Sequence, residues 1–109
     1  MNYKFIPDLQ SELEVPKDGI MSRVLYKDDR LNITLFGFSN GQELLTHSAA
    51  TPAILYFLQG DAELQLGDDV VQAKTGAFAV MPPMLPHAIS AKGPTLMLLV
   101  QVKDPIRAA

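Results

Sequence analysis

The stretch Leu31–Phe38, "LNITLFGF", decides the fold class. Leu31, Ile33 and Leu35 share one parity and Asn32 and Thr34 the other, the period of two that a half-buried strand requires. "AELQL" (Ala62–Leu66) repeats the pattern, with Ala62, Leu64 and Leu66 set against Glu63 and Gln65. Turn signals recur on both sides: Asp18-Gly19, Asp28-Asp29, Asn40-Gly41, Gly60-Asp61, Gly67-Asp68, Thr75-Gly76 and Lys92-Gly93. Gly, Asn and Asp supply the positive φ angles that tight hairpins need. The segments between them run about five to nine residues, which is strand length. No window sustains the i, i+3, i+4, i+7 apolar stripe of a helix. The expectation is an all-β sandwich or barrel with little or no helix.

Two segments break the alternation. "AILYFL" (Ala53–Leu58) and "TLMLLVQV" (Thr95–Val102) are apolar on both faces, so their outer faces need a cover. A second subunit is one cover, and a homodimer is expected. The other is the N-terminal stretch "DLQSELEV" (Asp8–Val15), lying across the barrel as an extra strand of its own chain or of a partner's. On the dimer reading, Leu99→Glu is expected to break the interface. "MPPMLPHAI" (Met81–Ile89) has three prolines in five residues (Pro82–Pro86); proline cannot donate to a ladder, so this is a stiff bend that fixes the angle of His87.

With 109 residues, the chain is one domain. Its expected divisions are an N-terminal arm and first strands (1–29), a barrel core (30–103) and a C-terminal tail (104–109). No cysteine is present, which excludes disulfides, thiolate metal sites and a thiol nucleophile. Net charge is −3 with no basic run, so nucleic acid is not an expected partner. "MNYKFIPDLQ" lacks the apolar core of a signal peptide, and the apolar runs are too short to span a bilayer. A cytoplasmic protein without membrane contact is expected.

Only two histidines are available for chemistry, His47 and His87. Around them the sequence resembles the cupin superfamily, in its small single-domain bacterial form. The first cupin motif runs Gly, five residues, His-x-His, three or four residues, Glu, six residues, Gly; this chain reads Gly41, five residues, His47-Ser48-Ala49, three residues, Ala53, six residues, Gly60. The second runs Gly, five residues, Pro-x-Gly, two residues, His, three residues, Asn; here it reads Gly76, five residues, Pro82-Pro83-Met84, two residues, His87, three residues, Ala91. The resemblance covers about residues 30–102 and implies a jelly-roll (double-stranded β-helix) barrel.

Metal-binding members of that superfamily use three histidines and a glutamate facing the interior. The resemblance carries over His47 and His87 as metal positions, with Ala49 and Ala53 where the other two ligands would stand. It implies at most a weakly held divalent transition metal (Fe, Mn, Ni or Zn), since two imidazoles and solvent make a weak site. Glu43, on the same strand parity as His47 but about 13 Å back, is a third-ligand candidate only if the strand bends; a partner chain is another.

Three functions stay open. One is small-molecule binding in the barrel cavity, with the imidazoles donating hydrogen bonds to a carboxylate or carbonyl. Another is a metal-dependent enzyme of dioxygenase, isomerase or decarboxylase type. The last is a structural or regulatory dimerisation domain whose cavity is filled by Met84, Phe57 and Phe78. The expected ligand pocket comprises His47, His87, Tyr56, Met84 and Met81.

Overall fold

The computed structural model describes residues 2–103. The tail at 104–109, expected as a separate division, lies outside the described residues. Nine strands form: β1 (Ile20–Lys27), β2 (Leu31–Phe38), β3 (Glu43–His47), β4 (Ala53–Gln59), β5 (Asp61–Leu66), β6 (Asp69–Lys74), β7 (Phe78–Met81), β8 (His87–Ala91) and β9 (Thr95–Val102). Among the described residues the sole helical element is a 3-10 turn at Leu9–Glu12. The strands make a five-stranded sheet ordered β1-β2-β9-β4-β7 and a four-stranded sheet ordered β3-β8-β5-β6. Every pairing is antiparallel. The all-β barrel expected from the alternation is the fold observed.

The core lies between the sheets. Phe38, Leu55, Phe57 and Met97 come from the larger sheet, and Ala62, Leu64, Ala73, Ile89 and Ala91 from the smaller. Phe38 and Phe57 on one wall thus meet mainly smaller side chains on the other, as the facing layers of a two-sheet core do. "AELQL" points its apolar set inward as expected. "LNITLFGF" has the expected period but the opposite sense. Leu35 and Ile33 belong to a second apolar cluster on the outer side, while Asn32 and Thr34 share the parity of Phe36 and Phe38, the latter in the core.

That second cluster explains the doubly apolar strands. Leu25, Leu35, Leu58 and Leu96 are buried there beneath Ile6, Leu9, Leu13 and Val15 of the N-terminal arm. The cover on this half of the sheet is therefore the chain itself. The arm is not the extra strand expected; it crosses as extended chain interrupted by the 3-10 turn, with Pro7 and Pro16 bracketing it. Gly37 makes the close passage feasible, because a Cβ there would stand 3.1 Å from Pro16 Cδ and 3.4 Å from Val15 Cα. Arg23 on β1 pins the crossing by donating to the Glu12 carbonyl (3.0 Å). Leu99 faces the inner cluster, so Leu99→Glu would disturb the core rather than an interface.

The β1–β2 hairpin is closed by Asp28. Its carboxylate accepts from the Tyr26 hydroxyl and from the backbone N–H groups of Arg30 and Leu31. The Tyr26 bond first, then those two N–H groups, hold the Asp28 carboxyl below its ordinary 3.8. The same bond raises the Tyr26 phenol above 10.0. A depressed carboxyl contributes stability that is present above its unfolded pKa and lost as pH falls through the folded one. The Tyr26→Phe variant is therefore expected to lose less stability than the wild type between pH 4 and pH 2, as read by urea midpoints across that range. Parallel loss in both proteins would refute the assignment.

Candidate functional site

The two histidines meet across strands β3 and β8, where His47 is the register partner of His87. Their ring centroids lie 4.1 Å apart with planes tilted by 59°. β3 reaches this pairing through a bulge. Leu44 opposes Ile89 and His47 opposes His87, so two residues of β3 span what one residue spans on β8. Leu44 packs against the core, and the extra residue lets His47 take the same inward side. Glu43, the third-ligand candidate, thereby falls on the opposite face. It opposes Ser90 and lines an outer cleft of about 330 Å³ with Glu63, Gln65 and Lys92. Parity along a regular strand places Glu43 with His47; the bulge reverses that.

Both rings are oriented by the same device. His47 Nδ1 lies 2.9 Å from the Leu45 carbonyl and His87 Nδ1 lies 3.0 Å from the Leu85 carbonyl, each two residues upstream. A carbonyl oxygen can only accept, so Nδ1 carries the proton in both rings. Nε2 of each neutral ring is left with its lone pair. The pair accordingly accepts hydrogen bonds or binds a Lewis acid, and in the neutral state it does not donate to a carboxylate as expected from sequence. His87 is 8% exposed whereas His47 is open to solvent, so the site is a mouth with one wall buried. The Leu45 and Leu85 carbonyls were missed at sequence level; the Pro82–Pro86 bend that positions Leu85 was the available signal.

The other expected pocket residues disperse. Met81 is buried in the core and opposes Ala53 in register. Tyr56 alternates with the inward Leu55 and Phe57, and so sits on the outer face, in a crevice with Leu58 and the arm residues Pro7–Gln10. It does not share a cavity with the histidines. Of the three residues expected to fill the interior, Phe57 does so, while Phe78 and Met84 are each 63% exposed.

Met84 belongs to the mouth. Its N–H donates to the Ala49 carbonyl at 2.6 Å, tying the proline bend to the segment after His47. Among the described residues it is the sole non-glycine with positive φ, at 70°. A left-handed backbone costs a Cβ-bearing residue about 1 kcal/mol. Met84→Gly is therefore expected to raise the melting temperature by roughly 4 °C or more; a lower value by differential scanning calorimetry would show that the methionine side chain stabilises the bend.

Residues 35–102, more than half of the chain, match the Cupin domain family. The chain belongs to the cupin family. Among solved structures, this cupin is similar to a conserved protein of unknown function from Streptococcus pyogenes (34% identity, 95% of this chain and 91% of that one, TM-score 0.84). It is also similar to a cupin superfamily protein from Desulfitobacterium hafniense (26% identity, 95% and 94% covered, TM-score 0.84). A third relative is a cupin 2 conserved barrel domain protein from Leptotrichia buccalis, with 30% identity and a TM-score of 0.81; the match takes in 87% of this chain but 46% of that one. No curated protein matches the chain.

Cupins often bind metals, so the donor set can be tested against a four-ligand centre. It does not fit. Ala49 and Ala53 offer no donor atom, and Ala53 is buried in the apolar core opposite Met81. Among the described residues no three His, Cys, Asp or Glu side chains cluster to hold an ion. No helix of the described residues is long and apolar enough to cross a membrane.

Proposed function

We propose that this cupin is a cytoplasmic small-molecule-binding protein whose ligand sits at the barrel mouth on His47 and His87. The carrying observation is the pair of Nδ1 contacts to the Leu45 and Leu85 carbonyls, which leaves two Nε2 acceptors side by side. A ligand that complements two acceptors offers donors: a diol, a phenol or an ammonium group, rather than a carboxylate. Cavity chemistry deeper in the barrel is disfavoured because Phe57, Met81 and Met97 are packed there.

The test is a thermal-shift series on metal-stripped protein at pH 8, with diols, phenols, primary amines and carboxylates. Donor-bearing compounds are expected to stabilise the wild type and to leave His47→Ala/His87→Ala unmoved. Stabilisation by carboxylates alone, or equal shifts in the double variant, would refute the proposal.

The same free nitrogens favour a second reading, a weakly held divalent ion (Fe, Mn, Ni or Zn) with solvent completing its shell. Elemental analysis of tag-free protein from metal-supplemented medium, against the double variant, tests it; this is the reading under which an enzyme becomes possible chemistry.

A homodimer belongs to the same proposal, narrowed from the two doubly apolar strands β4 and β9 to the outer side of β4 and its neighbour β7. The arm reaches Tyr56 and Leu58, but on β7 Phe78 and Val80 are each left 63% exposed. Val80→Glu is expected to convert a dimer to monomer by sedimentation velocity without unfolding it. An unchanged sedimentation coefficient would place the interface elsewhere.

A further inference from the structure

The arm leaves part of the larger sheet's outer face unfilled. A cavity of about 400 Å³ lies between Ile6 and Leu9 of the arm and Leu25, Leu31, Ile33 and Leu98 of the sheet beneath. Small-molecule sites begin at about 300 Å³ and are mostly apolar, with a few polar groups that set orientation. No lining residue comes from β3 or β8, so the cavity is separate from the histidine mouth. Its charge comes from the arm. Phe5 is turned to solvent at 75% exposure, while Lys4 and Ile6, which share the other parity, both line the cavity. Lysine thus stands where an aliphatic side chain would have completed the apolar wall.

Lys4 is the sole charged residue of the lining. Among the described residues the one ion pair is Arg23–Glu12, so the Lys4 ammonium meets no carboxylate of the described chain. The Tyr26 hydroxyl, on another wall of the cavity, already donates to Asp28. An ammonium at the rim of an apolar wall can hold an anionic head within reach of water while the lysine stem and the wall cover the tail. The charge pair then stays partly solvated and escapes the cost of full burial. At roughly 30 Å³ for a group the size of a water molecule, the cavity takes about a dozen non-hydrogen atoms, a chain of about ten carbons with its carboxylate. We propose that this cavity binds a medium-chain monocarboxylic acid, its tail against Leu25, Leu31, Ile33 and Leu98 and its head on Lys4. Because the arm supplies one wall and the sheet the other, the bound acid fastens the arm to the barrel. This site takes an acceptor where the histidine mouth takes donors, and it stands independently of that mouth.

The test is a titration of decanoate, below its micelle-forming concentration, into the full chain carrying ¹³C-methyl isoleucine and leucine. The methyl resonances of Ile6, Leu9, Leu25, Ile33 and Leu98 are expected to move together, and those of Leu64 and Ile89 in the inner core to stay. Octanoate is expected to bind about tenfold more weakly, since a shorter tail covers less of the apolar wall. Lys4→Gln, at an exposed position, is expected to weaken decanoate about fivefold and to leave decanol unchanged. His47→Ala/His87→Ala is expected to bind decanoate as the wild type does, which keeps the two sites separable. Stationary cavity methyls throughout the titration would overturn the site, and so would inner-core methyls that move equally. Equal decanoate affinity in wild type and Lys4→Gln would overturn the acid as ligand. Binding lost in the histidine double variant would move the acid to the mouth, and cavity methyls that shift on dilution of the protein alone would give the groove to a second copy; either result removes this proposal.

Discussion

Gly60→Ala is expected to lower stability by about 3 kcal/mol or more, enough to drop the melting temperature by roughly 12 °C. Gly60 has φ +128°, and a Cβ built on it would meet Thr95 Oγ1 at 2.5 Å, Thr95 Cα at 2.6 Å and Thr95 Cβ at 2.8 Å. Thr95 cannot step aside. It is fully buried, its hydroxyl donates to the Gly93 carbonyl at 2.9 Å, and the Asp61 N–H donates to it at 3.3 Å. Moving it means moving the start of β9, the strand on which both β2 and β4 pair. Gly76→Ala is the internal control, since Gly76 also has positive φ (+91°) but nothing within 4 Å of its Cβ position. That variant is expected to lose only the backbone term of about 1 kcal/mol. Equal melting temperatures for the two variants would mean that β9 gives way freely and that the close approach is unimportant.

The double variant Ala49→His/Ala53→Glu is expected to change the protein in two opposed directions. Without metal it should be destabilised by several kcal/mol, because the Ala53→Glu change would place a carboxylate among buried apolar side chains opposite Met81. With Zn(II) or Ni(II) it should recover, as two added donors complete the four-ligand set that the cupin motif describes. At a metal concentration a thousand times the dissociation constant the recovery would be about 4 kcal/mol. Ala49→His alone should keep the apolar interior intact and gain less affinity. Calorimetry with and without metal reads all of this. A folded double variant with no metal-dependent shift would show that the backbone around Ala49 and Ala53 has left the ligand geometry altogether.

Much of the fold was legible because hairpins depend on local backbone requirements. Gly19, Gly41, Gly60, Gly67 and Gly76 all adopt positive φ, and each stood in a turn read from the sequence. Alternation located the strands but not always their inner side. In β2 the arm covers one face and the core the other, so the pattern of apolar residues had two answers and only tertiary packing chose. The histidine pair was legible through motif spacing, since cross-strand pairing converts a distant sequence position into a neighbour. The third-ligand candidate failed on a single inserted residue in β3, which changes parity without leaving any compositional mark. Tyr56 was misassigned for a related reason: on a strand apolar on both faces, an aromatic residue carries no sign of which side it takes.

The arm that crosses the larger sheet is covalently part of the chain yet packs as a separate body would, through Ile6, Leu9, Leu13 and Val15. It joins β1 through the short link Lys17–Gly19, so tethering as well as packing holds it on the barrel. A tether of this kind supplies a local concentration in the millimolar range. Severed at that link, the arm would become a peptide ligand for a leucine-lined groove, and its dissociation constant would report what the packing contributes without the connection. The same link, opened rather than cut, would let two crowded chains exchange arms, each seated on its neighbour's barrel as it now sits on its own.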